Sequence, residues 1–313
     1  MSSLRQAVED YLRIRRALGH KLANAGRLLP QLVDYLESVG AETVTTEHAL
    51  RWATMSSGAN PVYWQLRLSV VRGFARYLQT IDPTAEVPPR GLLPAATGRR
   101  PTPYVYCDEE IAALMAAAGR WRRWRSRLGA ETLQTLIGLL AVTGMRIGEA
   151  IRLDREDLDF EHRRLRVLNS KFGKSRQLPL HPTTVKALRE YLELRDHVHP
   201  HVDTPALLIT PTGKRLERRY VEWQFARLRT RVGVTPRPGC RPTRLHDVRH
   251  TFAVRTMLGS YQAGGDAQAR LAQLATYLGH TDPSASYWYL SAAPELLELA
   301  AARLEAHLTE LSR

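Results

Sequence analysis

The segment LHDVRHT, residues 245–251, carries a histidine and an arginine three positions apart. Residues at this spacing lie on one face of a helix, so the side chains of His246 and Arg249 are expected side by side. A neighbouring cation disfavours the charged imidazole, which would leave His246 neutral near pH 7 and able to exchange protons. The competing interpretation is structural, with His246 capping a helix and Arg249 exposed.

A second segment, TGMRIGE, covers residues 143–149. Its first glycine ends an apolar helix and presents Arg146, and Glu149 follows at a spacing that allows it to hold the guanidinium. Taken alone, the pair is as typical of a structural ion pair as of a functional site.

A third segment, YLGH at residues 277–280, ends another helix with glycine. Tyr289 lies nine residues after His280, a spacing that can return its hydroxyl to the imidazole across a turn. Aromatic residues on a helix more often belong to a core, so this segment alone does not predict a site either.

Composition favours a polyanionic partner. The chain has 313 residues, 45 Lys and Arg against 31 Asp and Glu, and a formal net charge of +14. Most of the basic excess is arginine, whose planar fork matches phosphate, so nucleic acid is the expected ligand. The two cysteines, Cys107 and Cys240, predict neither a disulfide framework nor a zinc site. No signal-peptide core or membrane span is predicted, and a reducing cytoplasm is the expected compartment.

Two domains are predicted around a proline-rich segment. Residues 1–82 form a helical domain whose last helix, from Tyr63 to Leu78, interleaves apolar residues with three arginines that contact either DNA or solvent: Arg67, Arg72 and Arg76. Residues 83–103 contain six prolines and form the linker. Residues 104–313 form a second domain.

The second domain is expected to be mixed in structure, so the fold class is mainly α with a small β-hairpin (α+β). Strands 164–167 and 177–180 flank a polar loop from Asn169 to Arg176. Apolar spacing predicts helices at 108–114, 132–142, 185–194, 219–232, 247–257, 267–278 and 294–311.

Together, in order and in spacing, the three quoted segments resemble the tyrosine recombinase (phage integrase) family. The resemblance covers residues 104–311 closely, and the N-terminal helices are similar to the family's core-binding domain. It implies that Arg146 and Arg249 grip the scissile phosphate and that His246 and His280 are the two histidine positions. Tyr289 would be the nucleophile, with Tyr287 as the next candidate.

The resemblance also implies a lysine on the hairpin. Lys171 fits that position better than Lys174, and both remain open. Glu149 would support the site, and Lys174 and Arg176 would join the arginines of the first domain as DNA contacts. The 31 residues from Arg249 to His280 form a longer connection than in compact members and resemble transposon-borne recombinases.

The implied reaction needs no metal, no ATP and no other cofactor. Tyrosine ionises with a pKa of about 10, so it must be activated, with His246 as base and Lys171 as acid to the leaving 5′ oxygen. The product is a 3′-phosphotyrosyl bond that a second strand can attack.

The implied partners are double-stranded DNA with specific recombination sites and three further protomers. These protomers form a homo-tetramer or a hetero-assembly of related recombinases, with the final helix docking on a neighbour or on its own domain. The alternatives are a type IB topoisomerase-like enzyme that relaxes DNA and an inactive DNA-binding protein of the same fold.

Overall fold

The computed structural model describes residues 3–55, 60–94, 103–120, 127–169, 173–236 and 243–279, with the helical positions 298, 301 and 305. The chain divides into two compact units, Met1–Arg100 and Pro101–Arg313. This division falls inside the predicted linker 83–103. No helix among the described residues is long and apolar enough to cross a membrane.

The first unit is helical, as predicted. Its helices are α1 (Ser3–Ala17), α2 (Ala23–Ser38), α3 (Thr46–Thr54) and α4 (Pro61–Leu78). Two of them begin at side-chain caps: Thr45 accepts a hydrogen bond from the His48 amide, and Asn60 accepts one from the Val62 amide. Their apolar faces enclose a core that includes Leu28, Leu32, Trp52, Val71 and Phe74.

An extended segment after α4 packs on this core, with Ala85 buried. The Glu86 amide donates to the Val44 carbonyl at 2.8 Å. Arg72 donates to the carbonyls of Pro88 at 2.8 Å and Pro89 at 3.2 Å. Proline lacks an amide hydrogen, so a proline-rich segment cannot donate all the hydrogen bonds of a β-strand. Its carbonyls remain acceptors, and two of them bind Arg72.

The second unit combines seven described helices with a small sheet. The helices are α5 (Asp108–Gly119), α6 (Arg127–Thr143), α7 (Ile147–Arg152), α8 (Pro182–Val198), α9 (Arg218–Val232), α10 (Asp247–Gln262) and α11 (Ala267–Leu278). The strands are β1 (Leu158–Asp159), β2 (Arg164–Val167) and β3 (Arg176–Pro179). The predicted final helix, 294–311, lies outside the described residues apart from three helical positions.

The sheet is antiparallel in the order β1-β2-β3. In β2 and β3 the register pairs Val167 with Arg176 and Arg164 with Pro179, which confirms the predicted hairpin with β3 one residue earlier than expected. Leu165 and Leu178 face each other in the core. The hairpin therefore has one buried face, to which Leu165 and Leu178 belong.

Helices α6, α10 and α11 place three chain reversals close together. The first half of α10 contributes Val248 to the main core. Its second half packs Val254 and Met257 against Leu274 and Leu278 of α11. The end of α6, the start of α10 and the end of α11 therefore converge, and the three segments singled out in the sequence lie at these positions.

Candidate active site

Arg146 is positioned by the turn between α6 and α7. Its backbone amide donates to Glu149 Oε2 at 2.9 Å, and its Nη1 donates to Glu149 Oε1 at 2.9 Å. Its Nη2 donates to the carbonyl of Gly279 at 3.2 Å. The predicted pairing of Arg146 with Glu149 is present, and the third bond connects this arginine to the end of α11.

Glu149 binds a second guanidinium that the sequence did not reveal. Arg176, the first residue of β3, donates to Oε2 at 2.8 Å and to Oε1 at 3.2 Å. The Glu149 side chain is 1% exposed. Burial raises the pKa of this carboxyl, but hydrogen bonds from Arg176 and Arg146 more than offset that effect and hold the pKa at about 2.

Arg249 is enclosed in the second unit. It is 2% exposed, donates from Nη1 to the Gly144 carbonyl at 2.8 Å, and donates from Nη2 to the Leu278 carbonyl at 2.8 Å. The structural alternative, an exposed Arg249, is wrong. Because a guanidinium has its five N–H donors in one plane, these two bonds fix the orientation of that plane.

Two glycines allow this close approach. Gly144 has φ +58° and Gly279 has φ +68°, conformations that favour glycine. A Cβ at 279 would lie 3.2 Å from Arg176 Nη1 and 3.7 Å from Arg146 Nη1. A Cβ at 144 would overlap the ring of Phe252, which stacks on Tyr277 with centroids 5.6 Å apart.

His246 immediately precedes α10, and its ring contacts His250 edge to face with centroids 4.8 Å apart. Burial is the largest cause, followed by the nearby charges of Arg249, Arg244 and Arg146, and together they lower the pKa of His246 to about 4. The direction agrees with the sequence-based expectation, although burial is a larger cause than Arg249. His246 is therefore neutral at pH 7, so one of its ring nitrogens carries a lone pair that can accept a hydrogen bond.

Of the remaining predicted site residues in the second unit, the structure describes only Lys174. Lys174 is exposed in the loop between β2 and β3. Lys171, His280, Tyr289 and the alternative Tyr287 lie outside the described residues. No group of three His, Cys, Asp or Glu side chains within the described ranges is placed to hold a metal ion.

The three arginines of α4 do not form one surface. Arg67 is 6% exposed and its guanidinium lies 3.8 Å from the centroid of the Trp52 ring. This burial contradicts the expectation that Arg67 faces DNA or solvent. The side chain of Arg72 donates hydrogen bonds to the carbonyls of Pro88 and Pro89. Only Arg76, of these three, is exposed.

Similarity to known proteins shows the family of this chain. The model of the phage integrase family matches residues 107–295. The putative integrase/recombinase y4rB of Sinorhizobium fredii (strain NBRC 101917 / NGR234) is 40% identical over 308 residues, which cover 97% of this chain and 98% of that protein. The chain belongs to the phage integrase family. It is a tyrosine-type, site-specific DNA recombinase.

More distant members of the family extend the comparison. Tyrosine recombinase XerD of Brucella suis biovar 1 (strain 1330) is 28% identical over 305 residues, covering 93% of this chain and 94% of that protein. The solved Tn1549 transposon integrase, in complex with transposon right end DNA, has a TM-score of 0.64 at 18% identity, covering 96% of this chain and 98% of that one. The similarity to this solved structure confirms the mainly helical fold with its small antiparallel sheet.

Proposed function

We propose that Arg146 and Arg249 bind the scissile phosphate, that Tyr289 attacks it, and that the chain thereby integrates, excises or transposes a mobile element. The observation that carries the proposal is the attachment of both arginines to the last turn of α11. Arg249 donates to the Leu278 carbonyl and Arg146 to the Gly279 carbonyl. His280, the predicted second histidine, is the next residue in the sequence after Gly279, whose carbonyl binds Arg146.

The described charges favour a phosphodiester. Arg146, Arg176 and Arg249 contribute three positive charges, and Glu149 contributes one negative charge. A guanidinium can donate two parallel hydrogen bonds to an anionic oxygen, and such bonds count for more in a site shielded from water. Phosphoryl transfer depends on this positioning and charge neutralisation, so two fixed arginines provide its main requirement.

The proposed step exchanges one phosphoester bond for another. The Tyr289 oxygen forms a bond to phosphorus, the bond from phosphorus to the 5′ oxygen breaks, and a 3′-phosphotyrosyl link results. The tyrosine proton passes to neutral His246, and a lysine of the β2–β3 loop, Lys171 in preference to Lys174, protonates the 5′ oxygen. Attack by the 5′ hydroxyl of a second strand reverses the step, so the bond energy is retained and ATP is not needed.

The DNA partner and the assembly follow from the same reaction. Recombination of two duplexes requires four strand cleavages, so we propose a tetramer on DNA, either of this chain or of this chain with related recombinases. The solved relatives include a lambda integrase tetramer bound to a Holliday junction. Identity to the integrase/recombinase y4rB, at 40%, exceeds the 28% identity to the XerD recombinase and supports a mobile-element role.

Covalent capture tests the proposal. The full chain is incubated with duplex fragments of the DNA that carries and flanks its gene, the mixture is denatured, and DNA attached to protein is sequenced. The wild-type chain is expected to yield adducts with one common cleavage position. Tyr289→Phe should yield none, whereas the matched Tyr287→Phe variant should behave as wild type. Equal adduct formation by Tyr289→Phe would overturn the assignment of the nucleophile.

A further inference from the structure

Arg176 joins two parts of the site that are separate in sequence. It begins β3, immediately after the loop of residues 168–175, and in the sheet it pairs with Val167 at the end of β2. Its side chain leaves the hairpin and ends on Glu149 of α7, 27 residues earlier in the chain. The strand that follows the candidate lysines is therefore attached to α7, the helix that follows Arg146.

The attachment is bidentate and shielded. Both terminal nitrogens of Arg176 donate to the carboxylate of Glu149, and the Arg176 side chain is 12% exposed. Its Nε is buried and has no hydrogen-bond partner among the described residues. This geometry favours a structural role for Arg176 over the direct DNA contact expected from the sequence.

One carboxylate therefore sets the positions of two guanidiniums. Glu149 accepts from Arg146 through the side chain and the amide, and it accepts from Arg176 through two further bonds. Both guanidiniums also approach the position that a Cβ of Gly279 would occupy. A shift of β3 along the sheet would thus have to break bonds to the same carboxylate that fixes Arg146.

We propose that Arg176 is a positioning residue, which fixes β3, the strand that follows the lysine-bearing loop, beside Arg146, so that a loop lysine can reach the phosphate. The inference rests on the proposed function, because it assumes that a loop lysine protonates the 5′ oxygen. In this proposal Arg176 binds neither the tyrosine nor the DNA directly. It acts through Glu149. Loss of Arg176 would retain the lysine itself, but the lysine would donate its proton to the 5′ oxygen less effectively.

The nature of the leaving group separates this role from a purely structural one. A 5′ oxygen departs as an alkoxide unless an acid protonates it, whereas a 5′ sulfur departs as a thiolate because a thiol has a pKa of about 8.5. A substrate with sulfur in place of the bridging 5′ oxygen needs no general acid. Misplacement of the lysine should therefore slow only the oxygen substrate.

The experiment measures the rate of covalent adduct formation on a duplex carrying the captured cleavage position, with a bridging 5′ oxygen or a bridging 5′ sulfur. Arg176→Gln is expected to lose on the order of 100-fold on the oxygen substrate and less than about 3-fold on the sulfur substrate. Arg164→Gln is the matched control in the same hairpin, because the Arg164 side chain bonds only to the Gln177 side chain among the described residues. It should retain the wild-type rate on both.

The outcomes are distinguishable. A wild-type rate for Arg176→Gln on the oxygen substrate, or equal slowing on both substrates, would overturn the positioning role while leaving the proposed function intact. If Arg176→Gln does not fold, Arg176→Lys retains the ion pair through a single nitrogen and should show a smaller loss with the same dependence on the leaving group. Adducts with Tyr289→Phe, or none with the wild type, would instead refute the proposed function.

Discussion

Arg249 and Gly144 are 105 positions apart in the chain, and a 2.8 Å hydrogen bond joins the guanidinium of the first to the carbonyl of the second. The same guanidinium donates to the Leu278 carbonyl. The turn after α6 and the last turn of α11 thus converge on one buried side chain. Because the two turns meet here, substitutions of Arg249, Gly279 and His246 are expected to have distinct, measurable effects on catalysis and stability.

Arg249→Lys tests whether this planar geometry is required. A lysine keeps the charge, but its single nitrogen cannot span both carbonyls while also directing donors at a phosphate. We expect adduct formation to slow by about 100-fold or more, in line with the loss of a fixed donor from an oxyanion site. Adduct yield at early times, measured beside a thermal melt, provides the test, and an unchanged rate would contradict the assigned role.

Gly279→Ala should impair the site through its neighbours. A left-handed backbone costs a non-glycine residue roughly 1 kcal/mol, and the new Cβ would lie 3.2 Å from Arg176 Nη1. Gly233→Ala is a matched control, because Gly233 has φ +80° and a Cβ there would meet no described atom within 4 Å. Both variants should lose similar stability in urea titrations, but only Gly279→Ala should also slow adduct formation. Equal rates in the two variants would show that the guanidiniums tolerate the methyl group.

His246 should remain neutral well into the acidic range. Its pKa, lowered by burial and by neighbouring arginines to about 4, lies below the ordinary value of 6.5. In NMR spectra of the DNA-free chain, the imidazole carbon-bound proton of His246, identified by its absence in His246→Gln, should hold its position between about pH 8 and about pH 5. A titration midpoint near pH 6.5 would show that the ring is solvated rather than buried among cations.

The same group predicts a loss of stability in acid. Because the folded-state pKa of His246 is depressed, the unfolded chain takes up the proton first, so its stabilising contribution is complete above pH 6.5 and is lost as the pH falls towards about 4. The difference corresponds to about 3 kcal/mol. His246→Gln should therefore flatten the fall in unfolding free energy across that window in urea titrations. A slope that matches the wild type would refute this assignment.

Arg67 should contribute to the stability of the first unit, and Arg76 to the binding of duplex DNA. Arg67→Ala removes a guanidinium packed on Trp52 and should lower the stability of the first unit by about 1–2 kcal/mol. Arg76→Ala removes an exposed charge and should leave stability unchanged while weakening duplex binding at low salt. Melting curves and binding titrations of the two variants would separate these effects, and a stable Arg67→Ala that binds DNA weakly would reverse the interpretation.

Sequence reasoning predicted most helices of the described chain because their apolar spacing is local information. It missed β1, a strand of two residues whose pairing with β2 has no periodic signal. The hairpin was predicted within one residue because two short apolar strands flank a polar loop. Arg67 and Arg72 were interpreted from their place on α4, which does not show that an aromatic ring or a later segment covers that face.

The site shows the same division between local and distant information. The pairing of Arg146 with Glu149 was predictable, since residues three apart on a helical turn meet. The pairing of Glu149 with Arg176 was not, because it depends on how the hairpin packs beside α7. One clue was present: a carboxylate has four lone-pair directions, and a single arginine leaves some of them unsatisfied in a buried place.

The two arginines donate to the backbone carbonyls of Gly144, Leu278 and Gly279. This affects which insertions and deletions the protein can tolerate. A carbonyl is present whatever the side chain, so these three hydrogen bonds depend on the backbone path of the two turns and not on the identity of a partner side chain. Residues 250–277 between the anchored ends can therefore gain or lose length in the turn at 263–266 without displacing either guanidinium. Insertions there would alter the outer surface of the protein and spare its chemistry.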